Sequence, residues 1–277
     1  DFGDLDDEKT YVSSCSNGTR GVFMAGYAYD GGNIFFNNIR YITVGSTGNT
    51  TDAGDLTQSK LDTVSASNGT NAFVFGGVDA SGSWNEIDEI DYVAIVSTSN
   101  ASDFGDISTG VIDLHGGVIN DATYALRYKG AATSGSIYTI KYIDYITMAS
   151  TGNTSDFGDM TVAGIQGMGG AGNTTRGINF GGRIGGSNSD DTIDYVTVAS
   201  TGDATDFGNL TLYLDNQQSG TSAVSNLTKA EVYGGHTQTV GVRDNIDYVT
   251  IASTGNATSA GDDLTVAITG GTALSGT

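Results

Sequence analysis

Proline is absent from all 277 residues, and cysteine occurs once, as Cys15. At average usage roughly a dozen prolines would be present. The single cysteine excludes an internal disulfide framework and any Cys-based zinc site, so stability rests on packing and backbone hydrogen bonds. Cys15 stands between Ser14 and Ser16 and is expected to pack as a small buried hydrophobe. Basic residues are also scarce: 11 Lys and Arg stand against 32 Asp and Glu, for a formal charge of −21. Without a cationic surface a chain neither displaces counterions from phosphates nor holds anionic lipid, so nucleic acid and membrane surfaces are not expected partners. No run approaches the roughly 20 apolar residues of a membrane span, no signal-peptide pattern is seen, and no membrane insertion is expected. The chain opens on Asp1 rather than Met, which fits a processed chain or part of a longer one.

What is abundant is glycine, 42 residues, and above all repetition. An apolar-Asp-Tyr unit followed by alternating β-branched residues starts at Ile39, Ile90, Ile143, Ile193 and Ile246, with steps of 51, 53, 50 and 53. Each copy runs into a polar turn of the Ser-Thr-Gly-Asn kind. A second unit follows: Asp52-Ala53-Gly54-Asp55, Asp103-Phe104-Gly105-Asp106, Asp156-Phe157-Gly158-Asp159, Asp206-Phe207-Gly208-Asn209 and a looser Ala260-Gly261-Asp262. The chain also opens on one, Asp1-Phe2-Gly3-Asp4-Leu5. A third unit ends in a small pair, often Gly-Gly, as at Phe75-Gly76-Gly77 and Phe180-Gly181-Gly182.

Each repeat reads as four short strands, exemplified by Val12 to Ser16, Gly21 to Gly26, Ile39 to Thr47 and Asp52 to Leu56. The third alternates with period two, as a pleated strand does. Asn17-Gly18 and Asn68-Gly69 sit between the first and second strands, where a tight hairpin turn accepts positive φ. Helical periodicity is missing throughout. Repeats of about 50 residues with four strands each match an all-β fold, the β-propeller of four-stranded blades. The expectation is one domain over residues 1–277, with five repeats at approximately 6–56, 57–107, 108–160, 161–210 and 211–264 and an extra strand at 265–277. A six-bladed ring, or a window of a longer repeat array, is the alternative. The surplus terminal strands are expected to resolve with Tyr11 to Ser16 inside the first blade and Val266 to Leu274 at a contact with another subunit or adjoining segment. Ile42, Val93, Ile146, Val196 and Val249 are expected to be buried between blades.

The order of these signals resembles the kelch repeat, although the kelch Trp of the fourth strand is absent and the Phe of Asp-Phe-Gly stands in its place. Ile246 to Leu264, Asp156 to Ala163 and Arg20 to Phe23 more closely resemble tandem repeats in structural proteins of tailed phages of marine bacteria. That resemblance implies a virion or fibre component, an extracellular particle as location, and other virion proteins as partners.

Chemistry-bearing residues are few. His115 and His236 lie at different points of different repeats with no motif around them, so no nucleophile–base pair is expected and the chain is expected not to be an enzyme. Asp52, Asp55, Asp103, Asp106, Asp156 and Asp159 offer oxygen ligands of the type calcium prefers. Asp and Asn also stabilise turns by accepting backbone N–H bonds, so no cofactor is expected and calcium is the alternative. The Asp of the Ile-Asp-Tyr unit becomes Arg40 in the first copy, which fits a solvated or paired side chain rather than a shared metal. Asn-x-Ser/Thr triplets at Asn17, Asn49, Asn68, Asn100 and Asn256 are glycan acceptors in eukaryotic secretory proteins. They recur with the repeat, and turn chemistry explains them as well.

The loops give the best functional clue. Turns between first and second, and between third and fourth, strands nearly repeat themselves. The loops between second and third strands all differ and carry Tyr29, Phe35, Phe36, Trp84, Tyr138, Arg183 and His236. Exposed aromatics on one face suit stacking against sugars or a protein partner. The expected function is therefore a non-enzymatic adhesion module that recognises a host-surface glycan or a virion partner. A purely architectural spacer is one alternative. A polysaccharide-degrading propeller is another, and it would need two opposed carboxylates.

Overall fold

The computed structural model describes residues 2–5, 8–79, 85–108, 118–128, 141–163, 165–184, 188–214, 222–237, 241–261 and 263–268. Among these residues there is no helix. The chain folds as a five-bladed β-propeller, with five four-stranded antiparallel sheets set in a ring in which the first strands of blades 5 and 1 do not adjoin as those of the other neighbours do. Blade 1 comprises Ser13–Ser16, Arg20–Met24, Asn38–Thr43 and Thr51–Asp55. Blade 2 comprises Val64–Ser67, Asn71–Phe75, Glu89–Ala94 and Ser102–Asp106. Blade 3 is built from Val118–Asn120, Tyr124–Tyr128, Tyr142–Thr147 and Ser155–Asp159. Blade 4 has Gly169–Gly172, Arg176–Ile184, Asn188–Thr197 and Thr205–Leu214. Blade 5 has Ser222–Ser225, Lys229–Tyr233, Ile246–Thr250 and Thr258–Ser259. In every blade the four strands pair in chain order.

Side-chain amides and carboxylates close the first turn of each blade. Asn17 Oδ1 accepts the amides of Thr19 and Arg20 at 3.1 and 2.9 Å, and Asn68, Asp121, Asn173 and Asn226 do the same in the other blades. This Asx bond, which all five turns share, shapes the hairpin more generally than the Asn-Gly pair.

The Asp-Phe-Gly unit is a β-bulge. Ile90 pairs with Gly105 and Asp91 with Asp103, so Phe104 is left over and turns into the core. Phe157 and Phe207 occupy the same bulge. Each ring meets the Tyr of its own Ile-Asp-Tyr unit edge to face: Tyr92–Phe104, Tyr145–Phe157 and Tyr195–Phe207 lie at centroid distances of 5.6, 5.8 and 5.8 Å. Such pairs add about 1 kcal/mol beyond their burial.

Hydrophobic clusters lie between blades rather than within them. Val22, Met24 and Ile39 of blade 1 pack with Val74, Val93 and Ile95 of blade 2. Phe73, Phe75 and Phe104 of blade 2 meet Ala125 and Ile146 of blade 3. Equivalent clusters join blades 3 and 4, and blades 4 and 5. Val93, Ile146, Val196 and Val249 are buried as their alternation requires. Ile42 departs from that expectation and is half-buried, because among the described residues no hydrophobic cluster covers blade 1 on the side away from blade 2.

The Asp of the Ile-Asp-Tyr unit is buried and hydrogen-bonded rather than solvated. Asp91, Asp144, Asp194 and Asp247 accept hydroxyl bonds from Thr57, Ser108, Thr161 and Thr211, at or just past the fourth strand of the preceding blade, at 2.7, 3.0, 2.6 and 2.7 Å. Lys60 joins Asp91 at 3.0 Å, and Arg127 joins Asp144 at 2.7 Å. Burial pushes the Asp194 and Asp91 carboxyls above the usual range, opposed at Asp91 by Lys60 and at both by the threonine bonds. Ser13–Ser16 lies within the first blade. Of the expected C-terminal strand, residues 269–277 lie outside the described residues, while Ile268 bridges to Arg243 and accepts the Gly235 amide at 2.9 Å.

Candidate functional site

Two kinds of connection separate the faces of the propeller. Turns between third and fourth strands take part in a clip that recurs at the four junctions from blade 1 to blade 5. The Asp55 amide donates to Asn100 Oδ1 of the next blade at 3.1 Å, and the Asp55 carbonyl accepts the Ala101 amide at 2.8 Å. Asp106 with Asn153, Asp159 with Asp203, and Asn209 with Asn256 repeat the clip. Residues 2–5 make it with blade 1: the Asp4 amide donates to Asn49 Oδ1 at 3.0 Å, and the Phe2 carbonyl accepts the Gly48 amide at 2.7 Å.

The carboxylates considered as calcium ligands lie along the strands that make the clip. At Asp55, Asp106 and Asp159 it is the backbone that bonds. Asp52 accepts the Gly54 amide at 2.9 Å and lies 3.6 Å from Arg40, while Asp159 pairs with Lys141 at 2.8 Å. Asp103 and Asp156 are exposed on their strands. No group of three or more His, Cys, Asp or Glu among the described residues is placed to hold a metal ion.

Among the described residues, the loops between second and third strands are built differently in blades 1, 4 and 5. In blade 1 they form a hairpin, Tyr27–Tyr29 against Asn33–Phe35, tied by a bond from the Tyr27 hydroxyl to Asn33 Oδ1 at 2.9 Å. Its base is a small cluster in which Tyr11, Tyr27 and Phe35 cover Leu61 and Val78. Phe35 is therefore a packing residue, 5.7 Å edge to face with Tyr27. Phe36 lies under the Lys9 ammonium at 4.6 Å. Tyr29, at the hairpin tip, is 71% exposed. In blade 4 the loop is absorbed into two long paired strands, with half-buried Arg183 opposite Ser189. In blade 5, His236–Thr237 pairs with Gly241–Val242. His236 is half-buried, and its Nδ1 is buried with no hydrogen-bond partner among the described residues. Trp84, Tyr138 and His115 lie outside the described residues.

Tyr29, Arg183 and His236 thus stand on three separate blades of one face rather than in one cleft. Exposed Ile34 and Val242 share that face, as do Tyr142 at the start of a third strand and Tyr213 near the end of a fourth. Sequence reasoning confined to the variable loops missed these four. A signal for Tyr142 was present, since other repeats carry Asn38, Glu89, Thr192 or Asn245 immediately before the Ile.

Burial raises the pKa of two carboxyls toward this face, Asp62 and Asp190. Asp62 sits at φ 55°, and burial raises its pKa to about 7. Burial also raises Tyr11, with the Asp62 charge adding to it. Cys15, in the first strand of blade 1, is buried and its thiol is pushed up to about 12, which removes it as a nucleophile.

No family model matches the chain, and no curated protein matches it.

Proposed function

We propose that this propeller is a non-enzymatic display module whose variable face recognises a host-surface glycan, with a neighbouring virion protein as the alternative ligand. One observation carries the reading. The clip repeats at the four junctions from blade 1 to blade 5, while the described loops on the other face are a hairpin in blade 1, paired strands in blade 4 and a short hairpin in blade 5. Sameness serves blade packing. Difference leaves a surface able to specialise, and it carries Tyr29, Ile34, Tyr142, Tyr213 and Val242 outward. Flat rings held at low conformational cost suit sugar faces or a protein groove. A place on a tail, fibre or capsid is part of the proposal and rests on the resemblance read from the repeat sequence alone.

The immobilised protein, screened on a glycan array and against host-envelope polysaccharide, is the test. Retention of a defined glycan without release of reducing ends is expected. Release of reducing ends would favour the polysaccharide-degrading reading, and absence of any glycan binding would favour a virion-protein ligand or a spacer.

A further inference from the structure

The junction between blade 5 and blade 1 differs from the other four. First strands adjoin in series from blade 1 to blade 5, and no comparable contact joins Ser222–Ser225 back to Ser13–Ser16. Burial follows the same break. On the side of blade 1 that faces away from blade 2, Val44 is 47% exposed, whereas Ile95, Met148, Val198 and Ile251 at the same register are 1–3% exposed. On the far side of blade 5, Ile246 is only half-buried, whereas Ile39, Ile90, Ile143 and Ile193 are fully buried. The two end faces are the two halves of an interface that the chain builds four times internally.

The clip is broken in the same place. A Cβ at Gly54, Gly105, Gly158 or Gly208 would overlap the turn backbone of the next blade, while one at Gly261 would meet nothing within 4 Å. The matching turn on blade 1, Ser46 to Thr50, is already taken by residues 2–5. These residues are held lightly. Phe2 is 41% exposed, against 4, 4 and 3% for Phe104, Phe157 and Phe207.

Charge separates the end faces from the internal junctions and matches them to each other. Blade 1 carries Arg40 where every other blade buries an Asp. Blade 5 carries Glu231 where the other blades place Val22, Phe73, Leu126 and Ile178, and its fourth strand leads into an additional acidic residue, the exposed Asp263. A basic group on one end face thus faces added acidic groups on the other.

We propose that these end faces are a head-to-tail self-association site, in which Ser259–Gly261 of one copy enters the Ser46 to Thr50 turn of a second copy, and that residues 2–5 are an intramolecular cap competing for that turn. A heterologous contact of this kind propagates from copy to copy unless the rotation closes. The cap holds the free chain monomeric until it is displaced.

Sedimentation velocity across a concentration series tests this on the full chain. Gly3→Val forces the cap out, because the added side chain overlaps the Gly48 carbonyl. A second variant lacking residues 1–5 removes the cap outright. Both are expected to sediment faster as concentration rises, while the wild-type chain stays monomeric. Adding Gly261→Val to either is expected to restore the monomer, since that side chain meets nothing in one copy but would overlap the turn of the next. Uncapped variants that remain monomeric at all concentrations would overturn the proposal. So would association that persists with Gly261→Val, which would place the contact elsewhere.

Discussion

Gly158 offers the sharpest test of the clip. Its φ is 153°, and a Cβ there would overlap the Gly202 carbonyl and lie 2.8 Å from the Asp203 amide. Gly158→Ala must therefore push the fourth strand of blade 3 away from the turn of blade 4. Three bonds cross at that point: Gly202 N to Phe157 O at 2.7 Å, Ala204 N to Asp159 O at 2.8 Å, and Asp159 N to Asp203 Oδ1 at 3.0 Å. At about 1 kcal/mol net each, with a further 1 kcal/mol or so of backbone strain, the loss is about 4 kcal/mol. For a chain of this size that corresponds to a melting temperature lower by roughly 8–16 °C. Gly261→Ala is the matched control, with the same place in the repeat and a positive φ of 81° but no neighbour within 4 Å. It carries only the conformational term, about 1 kcal/mol. Thermal and urea denaturation of the two variants decide the matter. Equal destabilisation would show that the cost is backbone strain alone and that the clip contributes nothing.

Val249→Asp buries a charge between blades 4 and 5 and is expected to cost at least about 3 kcal/mol, whereas Ile42→Asp at the half-buried equivalent should cost less than about 1 kcal/mol; urea midpoints compare them. Asp62, with a folded pKa of about 7 against an unfolded value near 3.9, binds its proton more tightly when folded, so its contribution falls as pH rises between those values and the penalty at pH 8 is up to about 4 kcal/mol. Asp62→Asn should therefore stabilise the protein at pH 8 and change little at pH 4, and equal effects at both would contradict the assignment. Calcium and chelator should both leave the melting curve unaltered, because a bound ion would add stability growing with the logarithm of its concentration; a rise of many degrees in millimolar calcium would restore the turn carboxylates as ligands.

Much of the fold was legible because each repeat states the same physical requirement again. The alternation Ile-Asp-Tyr-Val-Thr-Ile is visible in one strand and certain in five, and the spacing leaves room for four strands and little else. The bulge was harder to read. Asp-Phe-Gly-Asp looks like a turn, and only strand pairing shows that Phe104 is the unpaired residue turned into the core. The buried Asp was illegible for a related reason: a carboxylate in a strand reads as solvent-facing unless its donor is known, and Thr57 comes 34 residues earlier than Asp91. The exchange for Arg40 fitted a solvated or a paired side chain, and pairing is what Asp91 and Asp144 show, with Lys60 and Arg127. The candidate site was least legible. Loop variability located the face, but only packing separates Tyr29, which is free, from Phe35, which covers Leu61 and Val78.

The central claim is that recognition belongs to the variable face and that the clipped face serves packing alone. A paired set of surface variants measures this directly by binding to the glycan retained on the array. Tyr29→Ala with Tyr142→Ala alters the variable face, and Val96→Ala with Leu227→Ala alters exposed positions on the opposite face. The account predicts that the first pair weakens binding by about tenfold or more, about 1.4 kcal/mol, with an unchanged melting temperature, and that the second pair leaves binding intact. Loss of binding in the second pair with retention in the first would contradict it.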